Sequence, residues 1–349
     1  MKILAVGDPH FKLELPYGEL ISDGRRAEHD AVLEAIHEAA KDCDAVVLLG
    51  DCFDKRHNHS TVIKEFIDFV NEFRNKSVTD HNYFDKPIVI LSGNHETYEG
   101  DKTSIDFMVG MNPQIFIVTP QNLMLAKGPL ATLGFIPYMT NASLGVSSTE
   151  EATEKLICMI EEHKYNVLFT HHAIEGAGAS PYFNEIVLPK ERLEKVAKLV
   201  VAGHLHKPAV FGKTIVTGNI FTSDVGEGKR YVWKIDTKDG SYEEIELPTR
   251  PIFKVTDPTE QELDGLSKNS IIKVILTQEG QDLDKLKKKL SEFDAHLLIE
   301  NYPNERHRLH IDSNQTLDLS VESLLELYAK AKNEDPERLK AAFAILKEA

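Results

Sequence analysis

Positive charge is in short supply in this sequence. Its 349 residues carry 40 lysines and arginines against 56 aspartates and glutamates, a formal net charge of −16. Proteins that hold duplex nucleic acid by its backbone are usually basic, because neutralised phosphates supply the affinity. Carboxylates offset by bound cations would account for only part of the excess. A nucleic-acid substrate would therefore be bound weakly by the chain alone and would need help from a partner. Cysteine is sparse as well: Cys43, Cys52 and Cys158 are scattered and odd in number, which argues against a disulfide framework and for a reducing, cytoplasmic location. Long apolar runs are missing. No stretch is long enough to span a membrane, and the apolar start at residues 1–6 breaks at Gly7-Asp8 without the charged head and long apolar stretch of a signal peptide. What remains is a globular composition, 42% hydrophobic and 28% charged, with length for a large catalytic domain plus one or two smaller units.

What is present is a series of metal-ligand residues at the ends of hydrophobic runs: Asp8-x-His10, Gly50-Asp51-x-x-Asp54, Gly93-Asn94-His95-Glu96, His171-His172 and Gly203-His204-x-His206. The runs cover residues 3–6, 45–49, 88–91, 167–169 and 199–201. They predict parallel strands buried on both faces, and ligands of α/β sheets collect past the carboxyl ends of such strands. Repetition of this punctuation predicts a hydrolytic site for two metal ions. Between the runs, apolar residues at helical spacing predict helices over 27–40 and 61–73, and a third over 150–163 behind a capping box of Ser148 and Glu151. This βαβ rhythm predicts right-handed crossovers and a mostly parallel core. Past His206 the pattern turns to strands at 209–211, 214–217 and 231–235.

Pro248-Thr249-Arg250-Pro251 marks a boundary. Beyond it, strands at 271–276, 296–300 and 308–311 and a helix at 283–293 predict a small α+β module, whose lysines at 285 and 287–289 read first as a solvated face. In the tail, Val321, Leu324, Leu325 and Tyr328, then Leu339, Ala342, Phe343 and Leu346, mark two helices, with Asp335 and Pro336 as the start signal between them. This pair either packs on itself or on the small module, or docks a partner. The expected organisation is a catalytic domain over 1–250, an α+β domain over 251–314 and a helical hairpin over 315–349.

Ligand types suggest the chemistry. Asp8 and His10, two apart at a strand end, would share a side and suit one ion. Asp51 can bridge two cations, Asn94 offers a neutral carbonyl oxygen, and His171, His204 and His206 offer imidazole nitrogens. Oxygen and nitrogen ligation without thiolate favours manganese, iron, zinc or similar ions. Two such ions can polarise a phosphoryl oxygen and stabilise an in-line displacement, which points to hydrolysis of a phosphate ester. His95 suits a general acid on the leaving oxygen, the alternatives being a phosphate-orienting or merely packed histidine. Asp54 and Glu96 are expected to support ligands by hydrogen bonds. His171 and His172 compete for one position, and period-two counting favours His171. His29, His37, His57, His59, His81 and His163 read as surface or helix-face residues, with His57 and His59 close enough to Asp54 to touch substrate.

These residues carry a resemblance. Lys2-Ile3-Leu4-Ala5-Val6-Gly7-Asp8-Pro9-His10, Leu48-Leu49-Gly50-Asp51-Cys52-Phe53-Asp54, Phe135-Ile136-Pro137-Tyr138 and Gly203-His204-Leu205-His206-Lys207-Pro208 with Gly218 are similar to the calcineurin-like metallophosphoesterase superfamily over roughly residues 1–235. Within it the chain resembles the SbcD-type nucleases of double-strand-break repair, in their compact phage versions. The resemblance implies an α/β fold with a sandwich of two sheets flanked by helices. It also implies a manganese-dependent 3′-to-5′ exonuclease that cuts single strands and hairpins, and an SbcC-type coiled-coil ATPase gripped by the capping domain and terminal helices. A homodimer through catalytic-domain helices belongs to the same resemblance. By matching motifs, one metal takes Asp8, His10 and His206, the other takes Asn94, His171 and His204, Asp51 bridges them, and His95 protonates the leaving 3′ oxygen. Asn219 stands where serine is usual, and Asp54 where some members carry histidine, which leaves substrate details open. Two other classes compete. A phosphatase or phosphodiesterase of small molecules or phosphoproteins would have no evident need of the C-terminal parts. A non-catalytic scaffold would show eroded ligand positions, and none is eroded here.

Overall fold

The computed structural model describes residues 1–75, 86–99, 102–128, 131–178, 185–278 and 280–300. Two six-stranded sheets dominate it. The first runs Tyr242–Glu246, Tyr231–Asp236, Lys2–Val6, Ala45–Leu48, Ile88–Leu91, Ile115–Val118. The last four are mutually parallel and the first two antiparallel. The second runs Ala209–Phe211, Thr214–Val216, Ala197–Ala202, Tyr165–Thr170, Thr132–Ile136, Met124–Lys127, with a parallel centre and antiparallel edges. The register sets Val6 opposite Leu48 and Leu48 opposite Ile90, so the carboxyl ends finish level and their loops emerge together. In the second sheet Ala202 lies opposite Thr170, with the same effect.

The continuous apolar runs have a direct cause: each central strand meets a different apolar layer on each face. Ile3, Ala5, Val47 and Val89 of the first sheet pack with Phe135, Val167, Phe169 and Val201 of the second, forming the middle of the sandwich. The alternate residues Leu4, Val6, Val46 and Leu48 pack outward on Val32 and Ile36 of helix Arg26–Ala40 and on Phe66 and Val70 of helix Ser60–Asn75. On the far side Leu168, Val200 and Ala202 meet Leu156 and Ile160 of helix Thr149–Glu161 and Leu193 of helix Lys190–Val196. Each buried Val, Leu, Ile or Phe among them contributes roughly 1.5–3 kcal/mol, so the three layers hold the strand ends rigidly in place.

The predicted central strands and three helices are present, with ends shifted by a few residues. Ser148 caps its helix by accepting the Glu151 N–H. Strands Ile115–Val118, Met124–Lys127, Thr132–Ile136 and Tyr242–Glu246 are additional to those read from the sequence. A further three-stranded sheet orders Ile252–Thr256, Ile271–Leu276 and Ala295–Glu300. The helix Leu283–Leu290 beside it exposes Lys287 and Lys288 and pairs Lys285 with Glu260 and Lys289 with Asp264, as a solvated face does. Met1–Val274 with Asp282–Ile299 form one unit, and Ile275–Gln281 with Glu300–Ala349 another. The predicted strand at 308–311, the tail helices of the 315–349 hairpin and His81 lie outside the described residues. Among the described residues no helix is long and apolar enough to cross a membrane. All three cysteines are free.

Candidate metal centre

The loops that leave the level strand ends bring the sequence clusters together. Asp8, His10 and Asp51 from the first sheet and His204 from the second adopt positive φ, at 22°, 44°, 46° and 77°. Side-chain-bearing residues rarely do so, and such strain concentrates where surrounding structure holds a site. Period-two strand geometry therefore does not place Asp8 and His10. The strand stops at Val6, and a left-handed loop aims them instead. The glycine punctuation has a steric cause. A Cβ on Gly93 would lie 2.1 Å from Asp51 Oδ1, and one on Gly203 would lie 2.7 Å from Asp8 Oδ1. Gly50, at φ 104°, has no room for one either, because His171 Nδ1 lies 2.3 Å from its position.

The side chains converge in overlapping groups. Asp8, His10 and His206 form one, His10, Asp51 and His95 another, and Asp51, His171 and His204 a third, each with candidate ligand atoms within 4.8 Å of one another. His10 Nε2 lies 3.0 Å from His206 Nε2. Asn94 Oδ1 lies 3.1 Å from His171 Nε2 and 2.8 Å from His204 Nδ1. Asp51 Oδ2 is 3.3 Å from His171 Nε2 and 3.9 Å from both His10 Nε2 and His95 Nε2.

The protons decide what these contacts mean. His171 Nδ1 meets the Leu49 carbonyl, which can only accept, so the proton sits there and Nε2 presents a lone pair. His204 Nε2 meets the Glu185 carboxylate, so its Nδ1 presents a lone pair. Around Asn94 Oδ1 and Asp51 Oδ2, acceptors thus face acceptors with no hydrogen between them. A cation resolves that arrangement. Asp8 Oδ2 and His10 Nδ1 are buried without a hydrogen-bond partner. Burial and the neighbouring Asp51 hold the Asp8 carboxyl well above the usual carboxylate range. Asp51 is also buried, yet the imidazoles of His171, His10 and His95 hold it far below. Burial drives His10 down to about 3, keeping the neutral, ligating form. The residues fit divalent cations on oxygen and nitrogen donors.

Residues 1–208, more than half of the chain, match the calcineurin-like phosphoesterase family. The chain belongs to that family. As a metallophosphoesterase it is a metal-dependent hydrolase of phosphate esters by class. It is 23% identical over 339 residues to the DNA double-strand break repair protein Mre11 of Nanoarchaeum equitans, covering 85% of this chain and 86% of that one. It is 24% identical over 237 residues to the putative phosphoesterase 244L of Invertebrate iridescent virus 6, covering 65% of this chain and 73% of the relative. Among solved structures, the calcineurin-like phosphoesterase YfkN of Bacillus subtilis aligns with a TM-score of 0.37 at 16% identity, over 70% of this chain and 88% of the other. A novel archaeal phosphodiesterase aligns with a TM-score of 0.34 at 15% identity, over 71% and 100%.

Several side chains of this phosphoesterase take positions the sequence left open. His172 turns away from the metal groups: its Nε2 accepts the Met139 N–H at 3.0 Å, and its ring stacks on Tyr138. Glu96 is fully buried and accepts the N–H groups of Phe53 and Gly93, both at 2.8 Å, tying together the loops after two adjacent strands. Burial, with Asp51 nearby, pushes its carboxyl up to about 8. Asp54 acts through two ends. Its carbonyl accepts the His95 Nδ1–H at 2.7 Å, whereas its carboxylate meets Lys12 Nζ at 2.6 Å rather than a ligand or a turn amide. His57 and His59 are exposed and belong to none of the metal groups. His29 and His37 are buried within the helix layer, His29 stacked on Phe221 and His37 donating to the Phe69 carbonyl. Glu185 was not foreseen, because no motif surrounds it; only the folded chain brings it to His204.

His172 also sets a pH dependence. Burial lowers its pKa to about 3 from an ordinary 6.5, so the unfolded chain binds its proton more readily than the folded one. This contribution to stability is present above about pH 6.5 and is lost as pH falls toward 3. The metal-free protein is expected to lose roughly 1.4 kcal/mol per pH unit from this residue within that window. Melting curves of wild type and His172→Gln from pH 7 to 4.5 check this. Parallel curves would assign the acid sensitivity to other groups.

Proposed function

We propose that this phosphoesterase is a dinuclear-metal nuclease that cleaves phosphodiester bonds in DNA, as an end-processing subunit acting with a coiled-coil ATPase. The observation that carries the metal centre is the set of facing lone pairs around Asn94 Oδ1 and Asp51 Oδ2. On this reading Asp8, His10 and His206 hold one ion, Asn94, His171 and His204 the other, and Asp51 serves both. The ions, manganese in our reading, would supply charge for the phosphoryl oxygens and an activated water. The chain's residues do the rest. Leu49 and Glu185 fix the proton on the outer nitrogens of His171 and His204. Glu96 keeps the Asp51 and Asn94 loops in register. The Asp54 carbonyl accepts the His95 Nδ1–H, so the ring presents Nε2 toward Asp51, and in the imidazolium form, protonated on both nitrogens, it would give its Nε2 proton to the leaving oxygen.

DNA as substrate is supported by the similarity to a protein named for double-strand break repair over most of both chains. That similarity and the apolar tail stripes also support the ATPase partner and the capping and hairpin assignments for residues 251–314 and 315–349. The net charge of −16 favours a second reading, a phosphatase or phosphodiesterase for small esters. Linear duplex, single-stranded DNA and p-nitrophenyl phosphate, each assayed with manganese, magnesium and zinc, separate the two. Mononucleotides released from duplex ends support the nuclease, and turnover of the small monoester alone supports the second reading.

Glu185 gives a test of the metal centre that needs no substrate. A carboxylate on the outer nitrogen of a ligating histidine orients the ring and raises its basicity. Glu185→Gln is expected to weaken manganese binding by roughly 10- to 100-fold in calorimetry. An unchanged affinity would remove His204 from the ligand set or Glu185 from its support.

A further inference from the structure

A cleft opens beside the Asp8, His10 and His206 group, between the segment at Lys12, Leu15 and Pro16 and the segment at Asn219, Phe221 and Ser223. Its walls are built. Arg25, fully buried, donates to the carbonyls of Pro16 and Thr222 at 2.8 and 3.1 Å, which clamps the two segments to each other. Glu28 holds Arg25 with two hydrogen bonds at 2.8 and 2.6 Å. Asn219 Nδ2 donates to Ser223 Oγ at 2.9 Å and stiffens the far wall.

Among the described lysines and arginines, Lys12 alone lines this cleft. Its Nζ is fixed by Asp54, and the two side chains stay 20% and 30% exposed, so the ammonium is positioned yet reachable. The same residue that fixes Lys12 by its carboxylate fixes His95 by its carbonyl. The spacing between the cation and the proposed proton donor is therefore set by one residue. Leu15, Pro16 and Phe221 add apolar surface to the cleft. A unit with a phosphate at one end and a flat apolar ring matches this lining, as a nucleotide next to the bond being cut does.

We propose that Lys12 binds the phosphate adjacent to the scissile one in a nucleic-acid chain and sets the register of that chain on His95. This rests on the nuclease reading above. In a protein with a large negative charge, such a cation would restrict binding of polyanions to one path. Asp54 competes with that phosphate for the ammonium, so the two residues have opposite effects on substrate.

The test uses the full-length, manganese-loaded protein, a short single-stranded oligonucleotide and bis(p-nitrophenyl) phosphate, which has no neighbouring phosphate. Lys12→Met is expected to raise KM for the oligonucleotide about tenfold more than KM for the small diester, the scale of one hydrogen bond to a charged group. Its salt dependence should become shallower by about 0.7 in log–log slope. Lys12→Arg should restore most of the loss. Asp54→Asn keeps the carbonyl that holds His95 and frees the ammonium, so the oligonucleotide KM should fall severalfold. A merely structural ion pair predicts the reverse pattern, with both variants raising KM alike. That outcome, or equal effects on both substrates, overturns the inference. Wild type that cleaves the diester but no oligonucleotide would instead overturn the nuclease reading, and the role of Lys12 with it.

Discussion

On the nuclease reading, replacing His95 with asparagine is expected to slow DNA cleavage by roughly 10²- to 10⁴-fold, the usual worth of a general acid, while manganese stoichiometry is unchanged. The backbone N–H of residue 95 donates to Asp51 Oδ1 at 2.9 Å and survives the substitution, so the Asp51 carboxylate keeps its place. What is lost is an imidazole whose side chain is 33% exposed, with Nδ1 committed to the Asp54 carbonyl and Nε2 facing the centre. Leaving-group chemistry supplies the decisive control. A p-nitrophenolate leaves without being protonated, so the loss on p-nitrophenyl esters should be far smaller than on DNA. Single-turnover rates and metal analysis check both halves. His95 also belongs to a candidate metal group with His10 and Asp51. Loss of bound manganese in the variant would make His95 a ligand and refute the acid role.

Asp51→Asn should have the largest effect on the metals themselves. Its carboxylate lies between the His10 and His171 sides of the centre, so losing its charge weakens both positions together. The expected drop in manganese affinity is at least about 100-fold, beyond what loss of a supporting residue costs. Stability should separate the two proteins most when metal is bound. In the metal-free protein, the imidazoles of His171, His10 and His95 favour ionised Asp51 in the fold, so the variant gains no stability there. In the loaded wild type, binding adds roughly 2.7 kcal/mol at a metal concentration a hundred times Kd. Melting with chelator and with manganese should show a large metal-induced rise in wild type and almost none in Asp51→Asn. A rise of equal size in the variant would place the metals elsewhere.

Much of the fold was legible because buried parallel strands need apolar residues on both faces, as Leu4 and Val6 against Ile3 and Ala5 illustrate. Where that requirement lapses, so does the signal. Tyr242–Glu246 is an edge strand with exposed or half-exposed residues, and its acidic composition resembles a loop. Met124–Lys127, another edge strand, is only half-buried along most of its length. The site was legible as residue types and strand ends. The long-range partners that orient those residues were not. His171 and His172 are neighbours in the chain, and what separates them is the Leu49 carbonyl on one and the Met139 N–H on the other. Asp54 looked like support for a ligand; instead its carbonyl holds His95 and Lys12, far off in sequence, takes its carboxylate. Glu185 carries no local mark at all.

The proposed ligands follow strands of both sheets: Asp8, His10, Asp51 and Asn94 the first, His171, His204 and His206 the second. On a ribosome, then, a growing chain cannot assemble one ion's full donor set until residue 204 has emerged, nor the other's until residue 206, and both need the sandwich closed. Neither half can scavenge its complement of metal early and become trapped around it. Metal uptake would mark the end of folding, and a phosphoesterase built this way stays inert until its whole catalytic frame exists.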